Sequence, residues 1–137
     1  MIRIDTDEIS LVRSATARIQ QLVSLVPDDP RVYLSDNATQ DRVILHLILS
    51  IQACISVAAE IVANESLETD GGLGGLFDSL ANAGIITSAL VVPLQMATKL
   101  RNRILFDFEN ININEVYDAA CTASEVLVEF LVQVRMR

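Results

Sequence analysis

The central part of the chain, residues 38–63, reads ATQDRVILHLILSIQACISVAAEIVA and is its longest apolar stretch. Because no Asp, Glu, Lys or Arg occurs between Val43 and Ala59, a membrane span has to be considered. Polar side chains argue against it, since they recur along the stretch within one arc of about 160° at 100° per residue. They are His46, Ser50, Gln52, Ser56 and Glu60. The stretch therefore predicts the central helix of a bundle, whose remaining face meets a second subunit.

The composition predicts helices in the rest of the chain as well. The 137 residues include 51% apolar and 20% charged side chains, which is enough for one packed core. Only 5 glycines and 3 prolines are present, and an all-β domain of this length would need turn signals far more often. We therefore expect an all-α fold in which residues 1–137 form a single domain, an up-and-down bundle of four long helices and one short helix.

Capping residues and helix breakers place the ends of the first helix. Thr6 precedes two acidic residues and is a suitable N-cap, and an apolar pattern with spacings of three and four then continues until Pro27. Residues 27–37 are predicted to be a connecting loop, and residues 64–75, which contain four glycines, are predicted to be a linker.

The second half of the chain predicts three further helices. A short one spans residues 76–83, and Gly84 is a candidate for the left-handed residue that follows its end. A longer one spans residues 87–105, in which Pro93 either kinks the helix or marks its true first turn. The last helix begins at Asn112, which resembles the first residue of a capping box. Its apolar stripe comprises Val116, Ala120, Ala123, Leu127, Leu131 and Val134.

Charge and cysteine content limit the classes of function. The net charge of −8 argues against a generally basic nucleic-acid surface, so a contact with RNA or DNA has to be local. The first ten residues lack the apolar region of a secretory signal, which predicts a cytoplasmic protein. Cys54 and Cys121 both fall in apolar helical patterns and are expected to be buried, reduced thiols. With one His and two Cys, no zinc site is expected.

The basic residues are unevenly distributed. Between Val43 and Thr98 there is no Lys or Arg, and then Lys99, Arg101 and Arg103 occur within five residues. Cations near the end of a helix are common because they offset the helix dipole. In an acidic chain the same cluster is also a candidate binding site for an anion.

The residues around this cluster resemble a known motif. Residues 96–117 read MATKLRNRILFDFENININEVY, which is similar to the signature of the HEPN superfamily, specifically the small HepT-like toxins encoded beside an MNT-type minimal nucleotidyltransferase. In that family an Arg and a polar residue, often Asn, are followed by three variable residues, a His, one residue and a Tyr. Arg101 and Asn102 match the first two positions, whereas Phe106 stands at the His position and Phe108 at the Tyr position. The resemblance covers residues 38–130, with Ser56 where related sequences have an acidic residue.

The resemblance implies a metal-independent endoribonuclease that uses no cofactor and builds its site across a homodimer. Arg101 would stabilise the charge that develops when a ribose 2′-OH attacks phosphorus, and Asn102 would position Arg101 or the substrate. Lys99 and Arg103 would contact the RNA. The family His transfers the proton in this reaction, which Phe106 cannot do, so the chain is expected to be catalytically impaired.

The resemblance also implies a biological role. The protein would be the toxin of a toxin–antitoxin pair, acting on RNA with tRNA as one candidate target. The partner nucleotidyltransferase silences such toxins by attaching AMP to the motif Tyr, and Phe108 lacks the hydroxyl that accepts it. If the helix continued through Phe108, this residue would project within about 20° of Arg101.

Several alternatives remain open at this point. Phe106 and Phe108 either face a substrate phosphate near Arg101 or are apolar residues that fill a dimer interface. The chain is a ribonuclease toxin, a non-catalytic HEPN subunit that binds a nucleotidyltransferase, or a dimeric helical bundle with only a scaffolding role. The two phenylalanines are the result of either natural loss of activity or deliberate inactivation. His46, the only histidine, is expected to have a packing role rather than to replace the missing acid or base.

Overall fold

The structure is a computed structural model that describes residues 6–137, and these residues form a helical bundle. The long helices are α1 (Thr6–Leu25), α3 (Asn37–Asn64), α5 (Val91–Phe106) and α6 (Ile113–Arg135). The short helices are α2 (Pro30–Leu34) and α4 (Leu73–Asn82), and single 3₁₀ turns lie at Ser88–Leu90 and Phe108–Asn110. The predicted all-α bundle with four long helices is confirmed. The predicted cap at Thr6 concerns a side chain that lies outside the described residues.

Helix α3 is the central element of the bundle and packs against α1, α4, α5 and α6. It is long and apolar enough to cross a membrane by length and composition alone, but half of its most apolar window is buried inside the bundle. Asp36 caps its first turn, accepting hydrogen bonds from the Ala38 amide at 3.1 Å and the Thr39 hydroxyl at 2.8 Å. Both hydrogen bonds lower the pKa of the Asp36 carboxyl, and the one from the Thr39 hydroxyl has the larger effect. The prediction of a central bundle helix is confirmed, and the contact of its remaining face with a second subunit stays a prediction.

Helix α2 was not expected, because residues 27–37 were predicted to be a loop. Asp29 is its N-cap and accepts a hydrogen bond from the Arg31 amide at 2.9 Å, and Pro30 occupies the first helical position. This pair is a recognised helix start, since proline needs no hydrogen-bond partner there. The helix buries Tyr33, whose ring lies 4.9 Å from that of Tyr117.

The ends of α4 and α5 follow from their local chemistry. Helix α4 begins three residues before its predicted start at Leu76. Gly84 follows its end with a φ of +76°, which confirms the left-handed residue predicted there. Pro93 lies in the first turn of α5. An amide hydrogen there would have no partner in the helix, so proline fits without a kink. Of the two alternatives for Pro93, the first-turn position is the one observed.

The two cysteines differ in accessibility. Cys54 is buried in α3, and burial raises the pKa of its thiol to about 12. Cys121 is exposed on α6, so the prediction of two buried thiols was wrong for this residue. Partial burial and the nearby Asp118 and Glu125 carboxylates raise the pKa of Cys121 above its ordinary value.

We expect thiol-specific labelling of the native protein to modify Cys121 and spare Cys54. Labelling should accelerate as the pH rises toward the raised pKa of Cys121, because the thiolate is the reactive form. Mass spectrometry after reaction with iodoacetamide measures this. Cys121→Ser should remove the modification and Cys54→Ser should leave it, whereas equal labelling of both native thiols would contradict the structure.

Candidate functional site

Arg101 lies on the inner face of α5, near its end. The buried residues of this helix are Val91, Leu94, Ala97, Thr98, Leu100 and Ile104. At 100° per residue, Arg101 points within about 60° of Leu94, Ala97 and Thr98, toward the bundle rather than toward solvent. The side chain is only partly buried, so the guanidinium lies at the boundary between core and surface.

The guanidinium of Arg101 is held by its neighbour. Nη1 of Arg101 donates a hydrogen bond to Oδ1 of Asn102 at 2.6 Å. Nε of Arg101 is buried and has no hydrogen-bond partner within residues 6–137. A buried donor without a partner is costly, and a charged one more so, which favours binding of an anion there. The two residues that match the motif are thus hydrogen-bonded to each other in the fold, and the role of Asn102 in positioning Arg101 or the substrate stays a prediction.

The other two cations of the cluster face away from the core. Lys99 and Arg103 are exposed on the outer side of α5. Arg103 forms a salt bridge with Glu115 in the first turn of α6, and both side chains are largely exposed. A surface ion pair of this kind contributes little to stability and is readily exchanged for another anion. The three cations predicted as one cluster therefore lie on two sides of the same helix.

Phe106 and Phe108 lie at the end of α5. Phe106 is its last residue and is 87% exposed, and Phe108 begins the following 3₁₀ turn and is 57% exposed. Asp107 separates them with φ −144° and ψ 49°, which breaks the helix. The expectation that Phe108 projects beside Arg101 assumed a continuous helix, so it does not apply to the observed geometry.

The segment after α5 is held by side-chain hydrogen bonds at both of its ends. The Asn110 side-chain amide donates to Oδ1 of Asp107 at 2.8 Å, and Asn112 accepts from the amides of Asn114 at 3.0 Å and Glu115 at 3.2 Å. The predicted Asn112 cap is confirmed, although the Glu115 carboxylate pairs with Arg103 instead of returning to the cap.

Two tyrosine hydroxyls connect the start of α6 to α2 and to the residues before it. The Tyr33 hydroxyl donates to the Ile113 carbonyl at 2.9 Å, and the Tyr117 hydroxyl donates to the Pro27 carbonyl at 2.6 Å. Burial raises the pKa of Tyr33 to about 12. Phe108 therefore lies in a short segment fixed at both ends by helices.

Three further polar residues considered from the sequence, His46, Ser50 and Ser56, lie on α3. Nδ1 of His46 and Oγ of Ser50 are buried without hydrogen-bond partners in the described part of the chain, and the two residues lie one turn apart. Ser56 donates to the Gln52 carbonyl at 3.1 Å within its own helix. Within residues 6–137, His, Cys, Asp and Glu side chains form no group of three or more that could hold a metal ion.

Comparison with known proteins identifies the family. Residues 13–134, nearly the whole chain, match the family described as "Ribonuclease HepT-like". The chain belongs to the HepT-like ribonuclease family. A curated relative, the "mRNA nuclease HepT" of Shewanella oneidensis, is 29% identical over 110 residues, which is 80% of each protein. The family resemblance noted for residues 38–130 is therefore confirmed and extends further toward both ends.

Solved structures share the HepT-like fold. A tri-AMPylated HEPN toxin of Shewanella oneidensis in complex with an MNT antitoxin superposes with a TM-score of 0.87 at 23% identity, covering 98% of this chain and 100% of that one. A toxin–antitoxin structure with AMP-PNP gives a TM-score of 0.84 at 24% identity, covering 96% and 99%. YutE, a cytosolic protein of unknown function from Bacillus subtilis, gives 0.79 at 13% identity, covering 95% and 89%.

Proposed function

We propose that this protein is the toxin component of a toxin–antitoxin pair and that its site acts on RNA. It works in the cytoplasm as a homodimer of single-domain subunits, and its antitoxin is an MNT-type nucleotidyltransferase. Support comes from membership of the HepT-like family and from the fold shared with a HEPN toxin solved in complex with an MNT antitoxin. The RNA substrate is proposed from the related mRNA nuclease, and tRNA is a further candidate.

The observation that carries this proposal is the state of Arg101. Its Nε is a buried donor without a protein partner, and Nη1 is fixed by Asn102. A guanidinium held in one orientation offers a planar set of donors that matches the oxygens of a phosphate. It would bind a backbone phosphate of RNA and stabilise the additional charge when the adjacent 2′-OH attacks phosphorus.

Phe106 determines how far the reaction proceeds in this chain. A general acid or base has to accept and release a proton, and a phenyl ring does neither. The chain as written therefore binds RNA at this site but cleaves it poorly. This also favours a second candidate function, a non-catalytic HEPN subunit that binds the nucleotidyltransferase, because Phe108 equally lacks the hydroxyl that would accept AMP.

We expect Arg101→Ala to weaken binding of a labelled single-stranded RNA by about 10- to 150-fold, the range for losing hydrogen bonds to a charged group. Fluorescence anisotropy at fixed salt concentration measures this. Arg18→Ala is the matched control, because Arg18 is an exposed cation on α1. Equal affinities for the two variants would contradict the role of Arg101 in RNA binding, and loss of antitoxin co-purification in both would indicate general misfolding.

A further inference from the structure

The outer face of α5 carries a stripe of exposed residues that packing does not explain. Its members are Val92, Met96, Lys99, Arg103 and Phe106, all of which are exposed. Their spacings of four, three, four and three residues place them within an arc of about 80°. We refer to these five residues as the outer stripe. It is apolar at its start, cationic in the middle and aromatic at its end.

Phe106 is the most unusual member of the outer stripe. At 87% exposure it is more accessible than the other large exposed hydrophobic side chains of the described residues. Leu105 and Phe108 beside it are 50% and 57% exposed, so the end of α5 presents a small apolar surface. A contiguous exposed apolar patch that contains an aromatic ring, unlike a single exposed side chain, commonly marks a binding surface.

The charges beside Phe106 indicate what covers it. Arg103 lies three residues earlier and is its neighbour on the helix surface, and Lys99 lies one further turn back. The ion pair of Arg103 with Glu115 is exposed and exchangeable, so the guanidinium is available to a phosphate. Asp107 and Glu109 follow Phe106 and repel an anion beyond the end of the helix. Lys99 and Arg103 on one side of Phe106 and the carboxylates on the other therefore favour a polyanion that approaches Phe106 along the outer stripe.

A second copy of the chain fits this surface less well. In a symmetric dimer the same patch meets itself, so an interface centred on the outer stripe would bring Lys99 and Arg103 close to their own copies. Burying like charges against each other is unfavourable. An aromatic ring next to solvated cations is instead the arrangement with which proteins bind unpaired nucleotides, the ring stacking on a base and the cations contacting the phosphates.

We propose that Phe106 is a base-stacking residue, which holds an unpaired base of single-stranded RNA while Lys99 and Arg103 contact the flanking phosphates. This inference rests on the proposed function and adds a role for the residue that replaces the family histidine. The position then serves to hold RNA, whereas a histidine there would transfer a proton.

The test compares binding of a fluorescein-labelled oligouridylate to variants of the full chain. Phe106→Ala should weaken binding by about 5- to 150-fold, the range for losing one stacked base, without changing the dependence of affinity on salt. Lys99→Ala should instead reduce the salt dependence by about one phosphate contact. Val23→Ala is the matched control, because Val23 is a 55% exposed apolar residue on α1, outside the outer stripe, and it should bind like the parent.

A second variant reports stacking directly. The chain contains no tryptophan, so Phe106→Trp introduces a single indole whose fluorescence should be quenched when oligouridylate binds, with affinity equal to the parent or higher. Unchanged affinity in Phe106→Ala, or no quenching in Phe106→Trp, would overturn the stacking role. Dissociation of a dimer by Phe106→Ala without an effect on RNA affinity would show that the ring is an interface residue instead.

The stacking role and the proposed function fail in different ways. If Arg101→Ala weakens RNA binding and Phe106→Ala does not, only the stacking role is wrong. If the parent chain does not bind oligouridylate and Phe106→His does not cleave it, the proposed action on RNA is wrong and the stacking role with it.

Discussion

Replacing Phe106 with His is expected to turn the folded protein into a ribonuclease that remains active in EDTA. General acid–base catalysis by a positioned side chain contributes about 10²- to 10⁴-fold, and we expect the cleavage rate to rise by this factor over the parent. The reaction forms a bond from the 2′-oxygen to phosphorus and breaks the bond to the 5′-oxygen. The 2′-OH proton passes to the imidazole, and the leaving 5′-oxygen takes up a proton.

The position of residue 106 makes this substitution well suited as a test. The side chain is 87% exposed, so the change does not disturb the core, and the melting temperature should stay close to that of the parent. An exposed imidazole titrates near its ordinary pKa of about 6.5. When it acts as the base, the rate should therefore fall as the pH drops below this range, since the protonated ring cannot accept a proton.

Gel electrophoresis of an end-labelled RNA, with identification of the 2′,3′-cyclic phosphate product, measures the outcome. Phe106→Gln is the matched control, because it introduces a polar side chain that does not transfer protons at neutral pH. Adding Arg101→Ala to Phe106→His should abolish the new activity, and adding His46→Ala should leave it unchanged. A Phe106→His protein that is folded, dimeric and inert on RNA would show that the ribonuclease assignment is wrong.

Much of the bundle could be predicted because periodicity decides which face of a helix is buried. The six residues predicted as the apolar stripe of the last helix, from Val116 to Val134, are all buried in α6. Cys121 directly follows buried Ala120, so it lies about 100° away from Ala120 around the helix, on an exposed face. Its burial was predicted wrongly because the surrounding apolar residues do not show which face it occupies. Helix α2 was missed because five residues are too few to establish a period.

The residues of the candidate site stay predictions, and their geometry could not be predicted from the sequence. Adjacent side chains on a helix diverge by about 100°, so neighbours in sequence are not expected to contact each other. Arg101 reaches Asn102 only because its side chain is long, and residue spacing does not predict such a hydrogen bond. Helix α5 ends at Phe106 without a glycine or proline nearby that would mark this end in the sequence. The anchoring of Ile113 by Tyr33 joins residues far apart in sequence, and only the fold brings these two together.

Replacing Phe108 with Tyr is expected to restore an acceptor for AMP. With an MNT-type nucleotidyltransferase, ATP and Mg²⁺, the parent chain should stay unmodified at this position, whereas Phe108→Tyr should gain adenylyl groups. In this transfer the phenolic oxygen forms a bond to the α-phosphorus of ATP, pyrophosphate leaves and the phenolic proton is released. Intact-mass spectrometry followed by peptide mapping measures the change from no modification to nearly complete modification.

The two tyrosines already present make the Phe108→Tyr experiment internally controlled. Tyr33 is buried, its hydroxyl donates to the Ile113 carbonyl, and burial raises its pKa to about 12, so its oxygen is a poor nucleophile that ATP cannot reach. The Tyr117 hydroxyl is likewise engaged with the Pro27 carbonyl. Residue 108 is 57% exposed in the segment between α5 and α6, so a hydroxyl there is open to a partner enzyme. Modification of the parent chain at Tyr33 or Tyr117, or none in a folded Phe108→Tyr protein that binds the nucleotidyltransferase, would show that position 108 is not the acceptor.

An AMP group at position 108 would place a bulky anion next to the outer stripe. It should therefore also weaken RNA binding by the Phe108→Tyr protein, because it repels the RNA phosphates and covers Phe106.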